Sequence, residues 1–474
     1  MALKIYQQSI LEKDGIRYYL ARNEQGQKVF CVDGKDGTRF QGNWQGDHLT
    51  GPLSDVNANH LRRKFSWLKP SPLGLRTSAG FGDRLGCATP GHIAALRAVD
   101  ENIAPIFAQQ SMRENARTYR TPAKVMDDAM WGVMQSGWKQ PWGADADHLK
   151  TVEDVALCAR AGYTFFTVDP YAYVDNEAHT AALENLEQKF SALPWQDLKI
   201  TADEFLVTFL NRHISIDGLE LVFTRQALLR AMGKYGAAIA HARRMYERAV
   251  ELMPKDSFEM EISVDETDTP TSALEHYLIV HELNRLGVKF VSLAPRFIGR
   301  FEKGVDYIGD LKEFEQELVK HCAVQHHFGT YKISIHSGSD KFSVYSLFAR
   351  YTHGKVHLKT AGTSYLEALR VMANKDPEFF RRIMAFSMKH YETEKASYHV
   401  SADLGMVPPL WGVEDQRLPA LLDQFDARQV LHVTFGLALS TFGGELGAKL
   451  DLFEKEYAKA LEVHFSKHLT PFRS

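Results

Sequence analysis

The chain has 474 residues, of which 45% are hydrophobic and 24% charged, ordinary proportions for a globular protein with a sizeable core. A formal net charge of −3 gives no global electrostatic reason to meet nucleic acid or a membrane surface. Cys31, Cys87, Cys158 and Cys322 form no Cys-x-x-Cys pair, and no apolar run reaches membrane-spanning length. Free thiols, a cytoplasmic location and a small-molecule substrate are therefore expected, with no nucleic-acid or membrane partner and with a homo-oligomer left open.

In chain order, residues 1–70 read as a small β-rich segment. Residues 16–21 and 28–32 are strand-like and are joined through Asn23-Glu24-Gln25-Gly26, a hairpin signal. Pro70 and Pro72 mark a boundary. Beyond it, short apolar runs alternate with amphipathic helical patterns. Strand candidates fall at 75–79, 105–108, 139–143, 163–168, 258–264, 289–293, 331–335 and 355–359. Strand alternating with helix argues for parallel βα units, and eight of them suggest an α/β fold closed as a (β/α)8 TIM-type barrel. Residues 397–402 and 429–434 also read as strands, which makes ten candidates for eight places. The barrel is expected over 71–365, with a mostly helical insertion at about 175–255 over its mouth. That stretch is too long for an ordinary βα loop. Residues 366–474 form a helical extension.

Two apparent motifs carry little. Gly80-Phe-Gly82-Asp-Arg-Leu-Gly86 has its third glycine one position late for a dinucleotide fingerprint, and His281-Glu282 has no second histidine at metalloprotease spacing. The strand ends carry more. Asp145, Asp147 and His148 fall within four residues and could hold a divalent ion with a base beside it; Asp147 could equally cap the next helix. On the fifth strand Glu259, Glu261, Ser263 and Asp265 share one face. A carboxylate such as Glu261, buried in a barrel strand, is costly unless paired, protonated or metal-bound, so it is the favoured acid, with Glu266 second. The seventh strand ends at His336, followed by the polar turn Ser337-Gly338-Ser339-Asp340-Lys341. On the eighth, His357 and Lys359 share a face. Ser111 and Thr167 lie in runs polar enough to line a mouth, and Lys341, Lys359 and Arg84 add charge suited to a carboxylate-bearing substrate. Imidazole and carboxylate ligands suit Zn, Mn, Fe, Co or Ni alike.

The stretches 80–86, 88–92, 107–115, 143–150, 263–270, 336–343 and 359–365 together resemble the tagaturonate epimerase family, over roughly residues 74–440. The resemblance implies a metal-dependent isomerase that interconverts D-tagaturonate and D-fructuronate, related to epimerases acting on tagatose and fructose at C4. It implies Asp147 as proton acceptor, Glu261 as proton donor, and His148 and His336 as metal ligands. His357 is the expected third ligand. The differing carbon lies β to the ketone, so a retro-aldol inversion is expected, with Asp340, Lys341 and Lys359 among the substrate-binding residues. A ketohexose 4-epimerase or other metal-dependent sugar isomerase, and a non-catalytic carbohydrate-binding protein, stand as alternatives.

Overall fold

The computed structural model describes residues 3–336, 340–360 and 362–473. Its centre is a closed barrel of eight parallel strands. In chain order these are β1 (Ser78–Gly82), β2 (Ala104–Ser111), β3 (Gly143–Leu149), β4 (Phe165–Val168), β5 (Glu259–Ser263), β6 (Ser292–Ala294), β7 (Lys332–His336) and β8 (Val356–Lys359). Each pairs with the next, and β8 closes on β1 through His357 opposite Ser78 and Lys359 opposite Gly80. The strands are buried on both faces, which is why they read as short runs and not as clean apolar–polar alternations. Outward residues such as Ala146, Phe166, Ile262 and Leu358 meet the surrounding helices, while the inward faces carry the polar groups.

Two expected strands are not strands. Ser397 ends a short 3-10 turn at Lys395–Ser397 and residues 398–402 are irregular, while residues 429–434 fall in and just after the helix Phe425–Val433. The apolar run Val430, Leu431 and Val433 is buried there as a helical face, and burial outweighs the modest helix penalty of its β-branched members. The third strand is displaced as well. It begins at Gly143, where the expected one ended, so Asp145 and Asp147 lie in the strand and not in a turn after it.

The N-terminal residues form an antiparallel sheet of which Ile16–Arg22 and Lys28–Asp33 are the expected hairpin. It is tied to the C-terminal helices mainly at one carboxylate. Glu454 accepts from the Tyr6 hydroxyl (2.8 Å) and pairs with Arg22 (2.8 Å) and Lys28 (2.7 Å). Between β4 and β5 the chain forms helices Leu183–Ser191 and Ala202–Phe209, the small hairpin His213–Ile216 with Leu219–Val222, and the long helix Arg225–Leu252. That long helix packs between Val152–Arg160 and Ala273–Arg285, in the ring around the barrel. The last long helix, Glu454–Leu469, lies against Thr89–Val99 so closely that a Cβ on Gly91 would stand 2.6 Å from the Leu461 Cβ. Among the described residues no helix is long and apolar enough to cross a membrane.

Candidate active site at the barrel mouth

The C-terminal ends of the strands bring residues from five of them into one cluster, at the end of the barrel where such folds place their chemistry. Lys359, at the end of β8, is its hub. Its ammonium donates to Asp147 Oδ1 (2.7 Å) and Thr167 Oγ1 (2.5 Å), and lies 2.9 Å from both Asp145 Oδ2 and Glu261 Oε1. Thr167 in turn donates to Asp145 Oδ1 (2.8 Å). All five side chains are buried. Burial disfavours the ammonium, but the Asp145, Asp147 and Glu261 charges outweigh it and hold the lysine well above its ordinary value. Burial pushes the Asp145 carboxyl up to about 6 despite Lys359. Burial also resists ionisation of Asp147 and Glu261. For Asp147 the His148 and Lys359 charges prevail, and for Glu261 those of Lys359 and His336, so both carboxyls lie well below the usual range.

Beside this hub stand two imidazoles. His336 presents Nε2 to Glu261 Oε1 (2.6 Å) and Nδ1 to Asp265 Oδ1 (3.1 Å). His148 presents Nδ1 to Asp147 Oδ1 (2.8 Å), and its Nε2 lies 3.8 Å from Asp265 Oδ1. The rings are 5.1 Å apart. That His148 reaches the interior at all, directly after the inward Asp147, has a backbone cause. Its φ is +52°, and between β3 and β4 the register slips by one residue, a bulge that turns two successive side chains into the barrel.

These residues fit a divalent metal. His148, Asp265 and His336 each offer a ligand atom, all within 4.8 Å of one another. Among the described residues, His148 Nε2 and Glu261 Oε2 are buried without a hydrogen-bond partner, a costly state that a cation would relieve. The donors are imidazole and carboxylate, the set that suits first-row transition ions.

The expected residues divide accordingly. Asp147, His148, Glu261, His336, Thr167 and Lys359 come together. Glu266 lies nearby at the rim, 3.6 Å from Arg113, and Ser111 caps the helix Met112–Thr118 beside the mouth by accepting from the Glu114 amide. His357 does not join the group. It sits two residues below Lys359 on β8, with Nδ1 on Ser78 Oγ (2.9 Å), so Asp265 and not His357 is the third group near both imidazoles. Lys341 is buried outside the mouth, donating to the carbonyls of Glu302 (3.0 Å) and Val305. Asp340 pairs there with Arg428 (2.7 Å), His464 and His468. Arg84 is spent on Glu114 (2.6 Å) and stacks over Phe435. Ser337, Gly338 and Ser339 lie outside the described residues.

Above the cluster opens a cleft of about 550 Å³ whose lining includes Asp265, Glu266 and His336 together with Arg113, Arg296 and Lys303. Tyr398 and His399, from the C-terminal extension, close its edge. Sequence reasoning missed Arg296, Lys303 and Tyr398, which come from distant parts of the chain; Arg113 lies in the polar run 109–115 expected to line a mouth, and Asp265 left a signal in its place on the Glu261 face.

Fold and mouth together define a (β/α)8 barrel enzyme with paired carboxylates beside a histidine–carboxylate cluster. Comparison with known proteins narrows the class. The model of the tagaturonate epimerase (UxaE) family matches residues 6–472. A tagaturonate/fructuronate epimerase of Thermotoga maritima is 42% identical, over 98% of this chain and 96% of its own. Crystal structures of the fructuronate-tagaturonate epimerase UxaE from Cohnella laeviribosi, native and with one glycerol, superpose with a TM-score of 0.94 at 37% identity, covering 99% of this chain and 96% of theirs. The chain belongs to the tagaturonate epimerase family and is an isomerase.

Proposed function

We propose that this enzyme interconverts D-tagaturonate and D-fructuronate by a metal-dependent retro-aldol inversion. The two hexuronates differ at a hydroxyl-bearing carbon β to the ketone. Its C–H bond is not acidified by the carbonyl, so enolisation cannot invert it. Cleaving the adjacent carbon–carbon bond turns that carbon into a planar aldehyde, which can rotate and be attacked on its other face.

The observation that supports this reading is the placement of Asp147 and Glu261 on one ammonium, that of Lys359. Asp147, held ionised by His148 and Lys359, takes the β-hydroxyl proton as the bond breaks. Glu261 serves the opposite face and delivers the proton to the oxygen after re-addition. Lys359 touches both carboxylates and so provides a route to return the proton from Asp147 to Glu261 without solvent. In the reverse direction the two acids exchange roles. His148, His336 and Asp265 would hold the divalent ion, whose contribution is Lewis-acid polarisation of the ketone oxygen. The basic rim of Arg113, Arg296 and Lys303 favours a substrate with a carboxylate over a neutral ketohexose.

The test is turnover of D-tagaturonate and of D-tagatose by metal-stripped protein reconstituted with single divalent ions. Activity on the uronate, restored by an ion and absent without one, is the expected outcome; equal activity after stripping would sink the metal dependence. In heavy water the inverted carbon of the product should carry no deuterium. Deuterium accumulating there would replace the retro-aldol route with direct deprotonation.

A further inference from the structure

A second group of imidazoles and a carboxylate joins Asp340 to the last long helix. Asp340 lies four positions beyond the end of β7 in the chain. His464 and His468 stand one helical turn apart on Glu454–Leu469, so both rings project from one face. Asp340 Oδ1 is 2.9 Å from His464 Nε2 and 3.0 Å from His468 Nε2, and the two nitrogens are 3.2 Å apart. All three residues are buried.

We propose that Asp340, His464 and His468 form a second metal site, for a zinc-type divalent ion, which fastens the C-terminal helix to the segment after β7. The geometry matches three ligands on one face of an ion. Ligands about 2.0–2.1 Å from a metal are separated by about 2.9 Å at octahedral and about 3.3 Å at tetrahedral angles, and the three separations fall at or between these values. Every ligand also has an outer partner of the kind that orients metal ligands. Glu367 Oε1 faces His464 Nδ1 (3.3 Å), the Tyr345 hydroxyl bonds His468 Nδ1 (3.0 Å), and Arg428 takes the other Asp340 oxygen, Oδ2 (2.7 Å). Arg428 is itself fixed by the carbonyls of Gly304 and Leu422 (both 2.6 Å).

The experiment uses the full chain, loaded with Zn²⁺, desalted and measured for metal by mass spectrometry. The variant H148A/H336A, which removes the mouth ligands, should keep about one Zn²⁺ per chain. Adding His464→Gln and His468→Gln should abolish it. Loss of all zinc from H148A/H336A while its folding is intact would overturn the proposal. Should that variant fail to fold, H468Q alone decides, because it should release one equivalent relative to wild type, measured on the same preparations. A lower Tm with unchanged zinc content would show a metal-free hydrogen-bonded clamp instead. Wild type holding one Zn²⁺, lost in H464Q/H468Q and kept in H148A/H336A, would uphold this site while sinking the metal reading of the mouth.

Discussion

The barrel stacks two layers built from the same residue types. The mouth has Lys359, His336 and Glu261; the layer beneath has Lys332, His357 and Glu259, on the same three strands. Their electrostatics are opposite. Lys359 is held above its ordinary value by three carboxylates, whereas burial pulls Lys332 down to about 8. Burial opposes protonation of His336 too, but Asp265 and Glu261 raise it, while His357 is pushed well below the usual range. The difference lies in where the carboxylates spend their charge. Glu259 gives its oxygens to the backbone amides of Leu73 (2.9 Å) and Gly74, closing the barrel floor. Glu261 keeps one oxygen on Lys359 and His336, and the other has no partner among the described residues. Composition alone does not make a site; uncommitted charge does.

Substitutions should separate the layers. Asp147→Asn should lower kcat about 10²–10⁴-fold, the loss of a positioned proton acceptor, in protein whose circular dichroism shows it still folded. A loss under tenfold in steady-state assays would remove Asp147 from that role. In the lower layer, Lys332→Met should leave kcat within a few-fold and act on stability. A folded pKa of about 8 against about 10.4 unfolded means the folded state disfavours the charged lysine. That cost is fully present below about pH 8 and vanishes above about 10.4. Lys332→Met should therefore stabilise by up to about 3 kcal/mol at pH 7, with the gain shrinking between those values, as denaturant melts at several pH values would reveal.

Next in size is the third ligand. Asp265→Asn should weaken metal binding by about 10–100-fold, and His357→Asn by less than tenfold, in competition titrations with a chelator. The reverse order would restore His357 as the ligand. Smallest should be Arg113→Gln at the rim, raising KM for the uronate by about tenfold with kcat little altered. An effect confined to kcat would place Arg113 in the chemistry and not in substrate binding.

Much of the barrel was legible because βα alternation is a local pattern, and seven of the eight strands fall at or within a few residues of their expected runs. The eighth, β3, was displaced because Gly-Ala-Asp-Ala-Asp is poor in β-formers and reads as a turn. Only its neighbours β2 and β4 make it a strand. In the site, Asp147, His148, Glu261 and His336 stood out as polar groups at strand ends. Asp340 and Lys341 stood out for the same reason, yet His464 and His468 lie 124 and 128 positions from Asp340 and draw it away from the mouth. No short-range pattern records that. Asp265 was visible on the Glu261 face, but which of several inward groups meets the two imidazoles depends on how the strands are staggered around the barrel.

The bulge at His148 has a further consequence for how this enzyme can change. A histidine at φ +52° costs on the order of 1–3 kcal/mol, and trimming one residue from β3 would relieve it. The shortened strand would pair in continuous register with β4 and should melt higher. It would also rotate one of two adjacent functional side chains out toward the helices. The most regular version of this barrel is thus an inactive one, and a screen for thermal tolerance alone should find the deletion before a screen for turnover would accept it.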